Sequence, residues 1–488
     1  MKYILALDAG TTSIRAVLYD RKKLQIVKTC KCSFKQYFPK PGWVEHDAEE
    51  IWKVTKKVLS SCLEGVSENE VYGMGISTQR ETVVAWDKRT GKPCCKAIVW
   101  QCRRTADLCN KIKLAPICEK IKEKTGLLPD AYFSATKIKW LLENDKNVQK
   151  LLQTDNLCVG TVESYLVFRL TNGNSFVSDI TNASRTMLLN INTQKWDDEL
   201  LTYFNIPKNI LPKVVSNSEV IDTTSTLPIP VKIAGLCGDQ QASLFGQGCF
   251  ERGMVKNTYG TGCFILMNTA STPKQSENGL LATVAYKINN KITYALEGSV
   301  FNAGCIIDWY CKTLGLCKDV KNINDYAMRV PDNAGVYLIP AFTGLGTPYW
   351  DMEAKGTLTG LTRGTNKYHL ARAVLESIAF SCHDVIQTMK EDSHIKIKEL
   401  HVDGGATVNS FLMNFQASLD DCTLSRFPTE STCLGVIYLA GLATGAFKSI
   451  EELKTIIKPI QTFEPQDTKQ TQKMLSGWQK AIRQCLTK

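Results

Sequence analysis

Three times in this 488-residue chain an apolar run stops at an aspartate and turns through small residues: "ILALDAGTTS" at 4–13, "KIAGLCGDQQAS" at 232–243 and "LHVDGGATVNS" at 400–410. Continuous apolar runs of this length predict strands buried on both faces. Loops at the carboxyl ends of such strands are where ligands gather in open α/β sheets. Three of them, widely separated, predict a duplicated α/β architecture whose loops converge on one cleft. A boundary near residue 250 would leave each half its own strands and helices, as units 1–249 and 250–488. "DAEEIWKVTKKVLSSCLEGV" (47–66) predicts a helix with Asp47 as N-cap and acidic residues in its first turn. "HLARAVLESIAFSCHDVIQTM" (369–389) predicts another, with Leu370, Val374, Ile378, Cys382, Val385 and Met389 as one buried stripe. "TTSTLPIPVK" (223–232) reads as a connector.

Composition excludes several classes. The net charge of +11 is spread over scattered lysines, with no basic block of the kind that binds nucleic acid. The 19 cysteines are odd in number and never form CxxC, and there are only five histidines, so neither a disulfide framework nor a zinc site is expected. They read as reduced, mostly buried residues of a cytoplasmic protein. No apolar run reaches about 18 residues, so no membrane span is expected. The opening "MKYILALDAG" imitates a signal peptide only until Asp8 interrupts it.

"LALDAGTTSIRAVLYD" (5–20) reads either as a plain hairpin or as a phosphate and metal site. In the second reading the hydroxyls of Thr11, Thr12 and Ser13 and the turn's N–H groups cradle phosphate oxygens. Asp8 then serves magnesium through water, and Arg15 neutralises phosphate charge. No GxxxxGK[ST] and no GxGxxG follows a strand, so a nucleotide site must be of another kind. "LHVDGGATVNS" offers close backbone approach at Gly404 and Gly405 and an amide at Asn409. "NTYGTGC" (257–263) adds a glycine-threonine turn suited to a terminal phosphate. In "GISTQRETVVAWD" (75–87), Gln79, Arg80 and Glu81 end an apolar run. Arg80 and Glu81 read either as a surface ion pair or as one donor fork and one acceptor for adjacent hydroxyls. In "IVWQCRRTAD" (98–107), Trp100 would supply an apolar wall.

Taken together, "ALDAGTTSIRAV", "STQRET", "AIVWQCRRTA", "TNASRTML", "GDQQASLFGQ", "KNTYGTGCF", "ALEGSVFNAG", "PAFTGLGTPYWD" and "VDGGATVNSFLM" resemble the FGGY carbohydrate kinases, within the actin, Hsp70 and hexokinase superfamily. "YFSATKIKWLLEN" (132–144) and "GTLTGLTRGTNKYHLARAVLES" (356–377) resemble the two signatures of that family. QRE with WQCRR resembles its glycerol-specific members rather than those acting on a pentose or gluconate.

The resemblance implies an α/β fold of two actin-like (ribonuclease H-like) domains with a catalytic cleft between them, the first binding glycerol and phosphate and the second adenosine. It implies ATP-dependent phosphorylation of glycerol to sn-glycerol 3-phosphate in a homodimer or other homo-oligomer. Carried over residue by residue, Asp239 is the general base. Arg80, Glu81, Tyr132, Asp239 and Gln240 bind glycerol hydroxyls, and Trp100 and Phe264 pack its carbon edge. Thr11, Thr12, Ser13, Arg15 and Thr261 contact nucleotide phosphates; Asp8 and Asp239 serve Mg²⁺. Gly304, Asp308, Gly405 and Asn409 line the adenosine side, Asp308 standing where relatives carry a glutamine. The connector before "IAGLCGDQQ" lacks the glycine- and arginine-containing loop that bacterial relatives use for a sugar-bisphosphate inhibitor, so that regulation is expected to be absent. Specificity is expected from Arg80 paired with Glu81. Asp239, near a cationic cleft, is expected to keep a low pKa. An actin-like switch without turnover has no use for such a base.

Overall fold

The computed structural model describes residues 1–466 and 468–487. The strands of its main sheet are β1 (Tyr3–Ala9), β2 (Ser13–Asp20), β3 (Gln25–Ser33), β4 (Val71–Thr78), β5 (Ser218–Thr223) and β6 (Lys232–Gly238) from the first half. The second half adds β7 (Met254–Tyr259), β8 (Cys263–Ala270), β9 (Leu281–Ile288), β10 (Lys291–Val300), β11 (Glu399–Asp403), β12 (Leu424–Arg426) and β13 (Gln461–Phe463). Their order is β13-β12-β11-β7-β8-β10-β9-β5-β6-β4-β1-β2-β3.

One topology occurs twice within that order. β1, β2 and β3 form an antiparallel meander, and β4 and β6 then add in parallel beside β1. β7, β8 and β10 repeat the meander, and β11 and β12 repeat the parallel addition beside β7. The two units meet at one bridge, Ser218 to Ile288, between β5 and β9. The duplicated architecture expected from the three strand-aspartate turns is therefore present. β1 is apolar and almost wholly buried, as a central strand requires, whereas β3 alternates between exposed and half-buried residues as an edge strand does.

The main helices are α1 (Ala48–Leu63), α2 (Asp239–Gly246), α3 (Lys367–Ser393), α4 (Ser410–Asp420) and α5 (Ser431–Ala443). Asp47 caps α1, its carboxylate accepting from the backbone N–H groups of Glu49 and Glu50. α3 runs somewhat beyond the expected span and buries Val374, Ile378, Cys382, Val385 and Met389, with Leu370 half-buried. α5 belongs to the second half in sequence yet packs on the first half's sheet. Cys433, Val436, Ile437 and Tyr438 share a buried cluster with Ile4, Ala6, Val17 and Tyr19. A smaller sheet of five strands includes Val83–Asp87 and Ala97–Ile98, two residues before Trp100.

All nineteen cysteines are free thiols. Among the described residues no helix is long and apolar enough to cross a membrane.

Candidate active site

"LALDAGTTSIRAVLYD" is a hairpin and a loop at once. β1 pairs antiparallel with β2, setting Asp8 opposite Arg15, and the turn closes through a hydrogen bond from the Gly10 N–H to the Ser13 carbonyl at 3.1 Å. The hairpin reading and the ligand-loop reading therefore do not exclude each other. Thr12 is exposed, while Thr11 and Ser13 are half-buried. The Trp100 indole N–H donates to Thr11 Oγ1 at 3.0 Å. Gln79, given no role in the sequence reading, donates through Nε2 to the Gly10 carbonyl at 3.1 Å and ties the QRE turn to this loop. Arg15 Nη1 lies 3.8 Å from Glu430 Oε1, just before α5.

Asp239 opens α2 directly after β6. Its Oδ1 lies 3.3 Å from Arg80 Nε. Gly238 makes this approach feasible, because a Cβ there would lie 2.8 Å from Arg80 Cδ. Burial raises the Asp239 carboxyl above the ordinary carboxylate range, with Arg80 and Lys256 pulling the other way. The low pKa expected from a cationic cleft is thus corrected: loss of water outweighs the two cations. Burial likewise pushes Asp8 up to about 6, against Arg15 and with help from the Asp239 charge. The Asp239 charge is thus within electrostatic reach of Asp8.

Arg80 and Glu81 are not a surface pair. They are 2% and 1% exposed, and Glu81 sits at φ +61°, a strained backbone for a side chain of its size. Their direct contact, Arg80 Nε to Glu81 Oε1, is 3.8 Å long. The closer partners come from elsewhere in the chain. Arg80 grips Glu297 with both terminal nitrogens, at 2.7 and 2.8 Å. Arg185 Nε donates to Glu81 Oε1 at 2.7 Å and its Nη2 to Glu297 Oε1 at 3.0 Å. Burial works against the Glu297 charge, but Arg185 and Arg80 together hold the carboxyl down at about 2. Arg80 also donates to Gln241 Oε1 at 3.1 Å and to the Tyr132 hydroxyl at 3.3 Å.

Lys256, on β7, closes this group. Its ammonium donates to Gln240 Oε1 at 2.6 Å, to Thr258 Oγ1 at 3.0 Å and to the Phe264 carbonyl at 3.1 Å. Burial pushes it down to about 8, with Asp403, Arg80, Glu297 and Asp239 all acting on it. Asp403 ends β11, is 2% exposed and accepts from Ser243 Oγ at 3.1 Å. The Trp100 ring lies 5.6 Å from the Tyr132 ring and 6.4 Å from the Phe264 ring, centroid to centroid, so one aromatic wall draws on both halves. The predicted residues Asp8, Arg80, Glu81, Trp100, Tyr132, Asp239, Gln240 and Phe264 are brought together.

The turn after β7 gathers the other side. Gly304 donates its N–H to the Gly260 carbonyl at 3.0 Å, beside the exposed Thr261. Gly404, at φ +98°, packs so closely that a Cβ would lie 2.4 Å from the Tyr259 carbonyl oxygen. Gly405 faces open space. Asn409 is largely buried and its Oδ1 is already committed to the Leu412 N–H at 2.9 Å, capping α4. Among the described residues its amide N–H₂ makes no hydrogen bond, and it is the group most open to a ligand. Asp308 is exposed and pairs with Lys312 at 2.6 Å, a helical neighbour pair.

Glu297, Arg185 and Lys256 are charged residues of the site that the sequence left without a role, as it did Gln79. Each lies in or beside a stretch quoted above, and its signal is a single charge within an apolar or small-residue run. Among the described residues no three histidine, cysteine or acidic side chains gather as a metal cage.

Residues 3–246 match the model of the FGGY family of carbohydrate kinases, N-terminal domain, and residues 255–444 match that of its C-terminal domain. Over 488 aligned residues the chain is 50% identical to a glycerol kinase of Carboxydothermus hydrogenoformans, covering 99% of this chain and 97% of the relative. It is 47% identical to glycerol kinase 2 of Thermotoga maritima, covering 100% and 99%. The crystal structure of Plasmodium falciparum glycerol kinase with ADP superposes with a TM-score of 0.94 at 34% identity, covering 100% of this chain and 99% of that one.

Proposed function

This chain belongs to the FGGY family of carbohydrate kinases, and on that premise we propose that Asp239 is the general base of an ATP-dependent glycerol phosphotransferase. The enzyme moves the γ-phosphoryl group of ATP to a terminal hydroxyl of glycerol, giving glycerol 3-phosphate and ADP. The observation that carries the role of Asp239 is its place, at a strand end and 3.3 Å from Arg80, whose Nη2 in turn reaches the hydroxyl of Tyr132 in the aromatic wall with Trp100 and Phe264. A small polyol entering there would meet ionic groups on one side and apolar surface on the other.

Phosphoryl transfer asks a protein mainly for positioning and charge stabilisation. The glycerol oxygen attacks the γ-phosphorus, the bond to the ADP oxygen breaks, and the hydroxyl proton passes to Asp239. A carboxylate is a weak base toward an alcohol, so the proton moves late, as bonding to phosphorus acidifies it. The upward shift of Asp239 makes it a better acceptor at that moment, while Arg80 and Lys256 favour its ionised form beforehand. Glu81, Tyr132 and Gln240 orient the substrate hydroxyls. A polyol lacking one would leave a buried group unpaired, which is how such a site discriminates.

Thr11, Thr12, Ser13, Arg15 and Thr261 are assigned to the phosphates. Gly304, Gly405 and the Asn409 amide are assigned to the adenosine side, with exposed Asp308 at its margin. Asp8 and Asp239 fit a divalent cation: both are carboxylates raised by burial, and the Asp239 charge adds to the rise of Asp8. Mg²⁺ commonly takes one or two carboxylates together with phosphate oxygens and water, without a full protein cage. Bound with ATP, it supplies charge neutralisation at the phosphates. We place the domain boundary at 249/250, between the two matched segments. We also assign the enzyme to the cytoplasm as a homo-oligomer, dimer or tetramer, with neither nucleic acid nor membrane as partner; light scattering of the purified protein checks the assembly.

The test is ADP release from Mg²⁺-ATP with glycerol, xylulose, gluconate and dihydroxyacetone offered separately. Glycerol-dependent ADP well above the others is expected. Its absence, with another polyol active, would transfer the reading to a different substrate.

A further inference from the structure

Arg80, Glu297, Arg185 and Glu81 form a closed ring of alternating charge, linked at 2.7–2.8, 3.0, 2.7 and 3.8 Å in that order round the ring. Arg185 and Glu297 are 0% exposed. Arg80 spends both N–H bonds of Nη1, on Glu297 and Gln241, and both of Nη2, on Glu297 and Tyr132. Its Nε faces Asp239 and, further off, Glu81. Arg80 therefore keeps only its Nε–H for a substrate hydroxyl, and the uncommitted acceptor of the pair belongs to Glu81. Arg185 holds Glu81 Oε1, while among the described residues no hydrogen bond reaches Oε2.

We propose that Arg185 and Glu297 are positioning residues that set substrate affinity. Arg185 pins one oxygen of Glu81 so that the other is held ready for a substrate hydroxyl, and Glu297, from the second half, locks the two first-half arginines Arg80 and Arg185 to each other. The inference rests on the glycerol reading of the same site and adds the pair that makes it specific. The geometry favours this role over simple core filling. The carboxylate that Arg185 holds sits on a strained backbone at φ +61°, which an isolated Glu81 has no reason to keep. The Arg185 guanidinium also lies over the Tyr132 and Phe133 rings, at 5.5 and 5.2 Å, which fixes its own plane beside the aromatic wall.

The experiment compares Arg185→Lys and Arg185→Met with wild type in steady-state kinetics for both substrates, alongside thermal unfolding. The expected result is a glycerol KM at least tenfold higher in both variants, with the ATP KM within twofold and kcat falling less than the glycerol KM rises. Lysine keeps the charge but loses the fork, so it does not rescue. If Arg185→Met does not fold, Arg185→Lys and Glu297→Asp carry the same comparison. A glycerol KM within twofold of wild type, or both KM values rising together as the unfolding midpoint drops, would overturn the proposal. Wild-type protein without glycerol-dependent ADP release would instead overturn the glycerol reading, so the two failures are distinguishable.

Discussion

Asp8 is a carboxylate held where folding disfavours its charge. Burial takes it from 3.8 to about 6. A carboxyl raised on folding binds protons more tightly in the native state. Its contribution to stability is therefore full below the unfolded value and lost as the pH rises through about 6. At pH 7.5 the charge is a burden on the protein free of nucleotide and metal. Asp8→Asn is expected to stabilise that form by about 1–3 kcal/mol in urea unfolding, while phosphoryl transfer is lost. No gain in stability would mean that the carboxylate is better solvated than its surroundings imply. The same titration predicts that the Mg²⁺-ATP affinity of wild type, measured by calorimetry, falls as the pH falls through about 6, and that Asp8→Asn binds more weakly with a flattened pH dependence. Asp239 moves in the same direction, so the acidic limb of kcat should lie above the ordinary carboxylate range.

Among the elements, α5 carries the tightest fit. A Cβ on Gly75 of β4 would lie 2.2 Å from the Val436 carbonyl oxygen of α5, a backbone atom that cannot swing aside. Gly75→Ala is expected to destabilise the protein by about 1–3 kcal/mol in urea unfolding, the range of an overpacked core. An unchanged midpoint would show that α5 shifts freely on the sheet. This helix also marks where sequence stops being legible. α1 and α3 show a helical stripe and, for α1, a capping aspartate, so periodicity reveals them. α5 is apolar on all sides, and nothing in "STCLGVIYLAGLA" says that it packs on the other half's sheet. The three strand-aspartate turns were readable because each breaks an apolar run with a charge and small residues. Glu297 and Arg185 were not, because their partners lie 217 and 104 residues away, at Arg80 and Glu81. A single charge in an apolar strand does not say whom it meets. The direction of the Asp239 shift was misread for a related reason: sequence shows the neighbouring cations but not the water excluded.

Over the whole molecule the two topological repeats are joined more by packing and charge than by strand pairing. β5 and β9 share one bridge, whereas a buried cluster mixes Ile4, Ala6 and Tyr19 with Val436, Tyr438 and Phe447, and Glu297 is gripped by arginines from the first half. Differential scanning calorimetry should therefore show one cooperative transition; two separate transitions would mean that the halves unfold independently. The central claim is that this cleft transfers phosphate to glycerol with Asp239 taking the proton. Its most direct test is Asp239→Asn, with turnover and glycerol binding measured on the same preparation. The account predicts kcat reduced about 10²–10⁴-fold while calorimetry still detects glycerol. Near-normal turnover in that variant would contradict it.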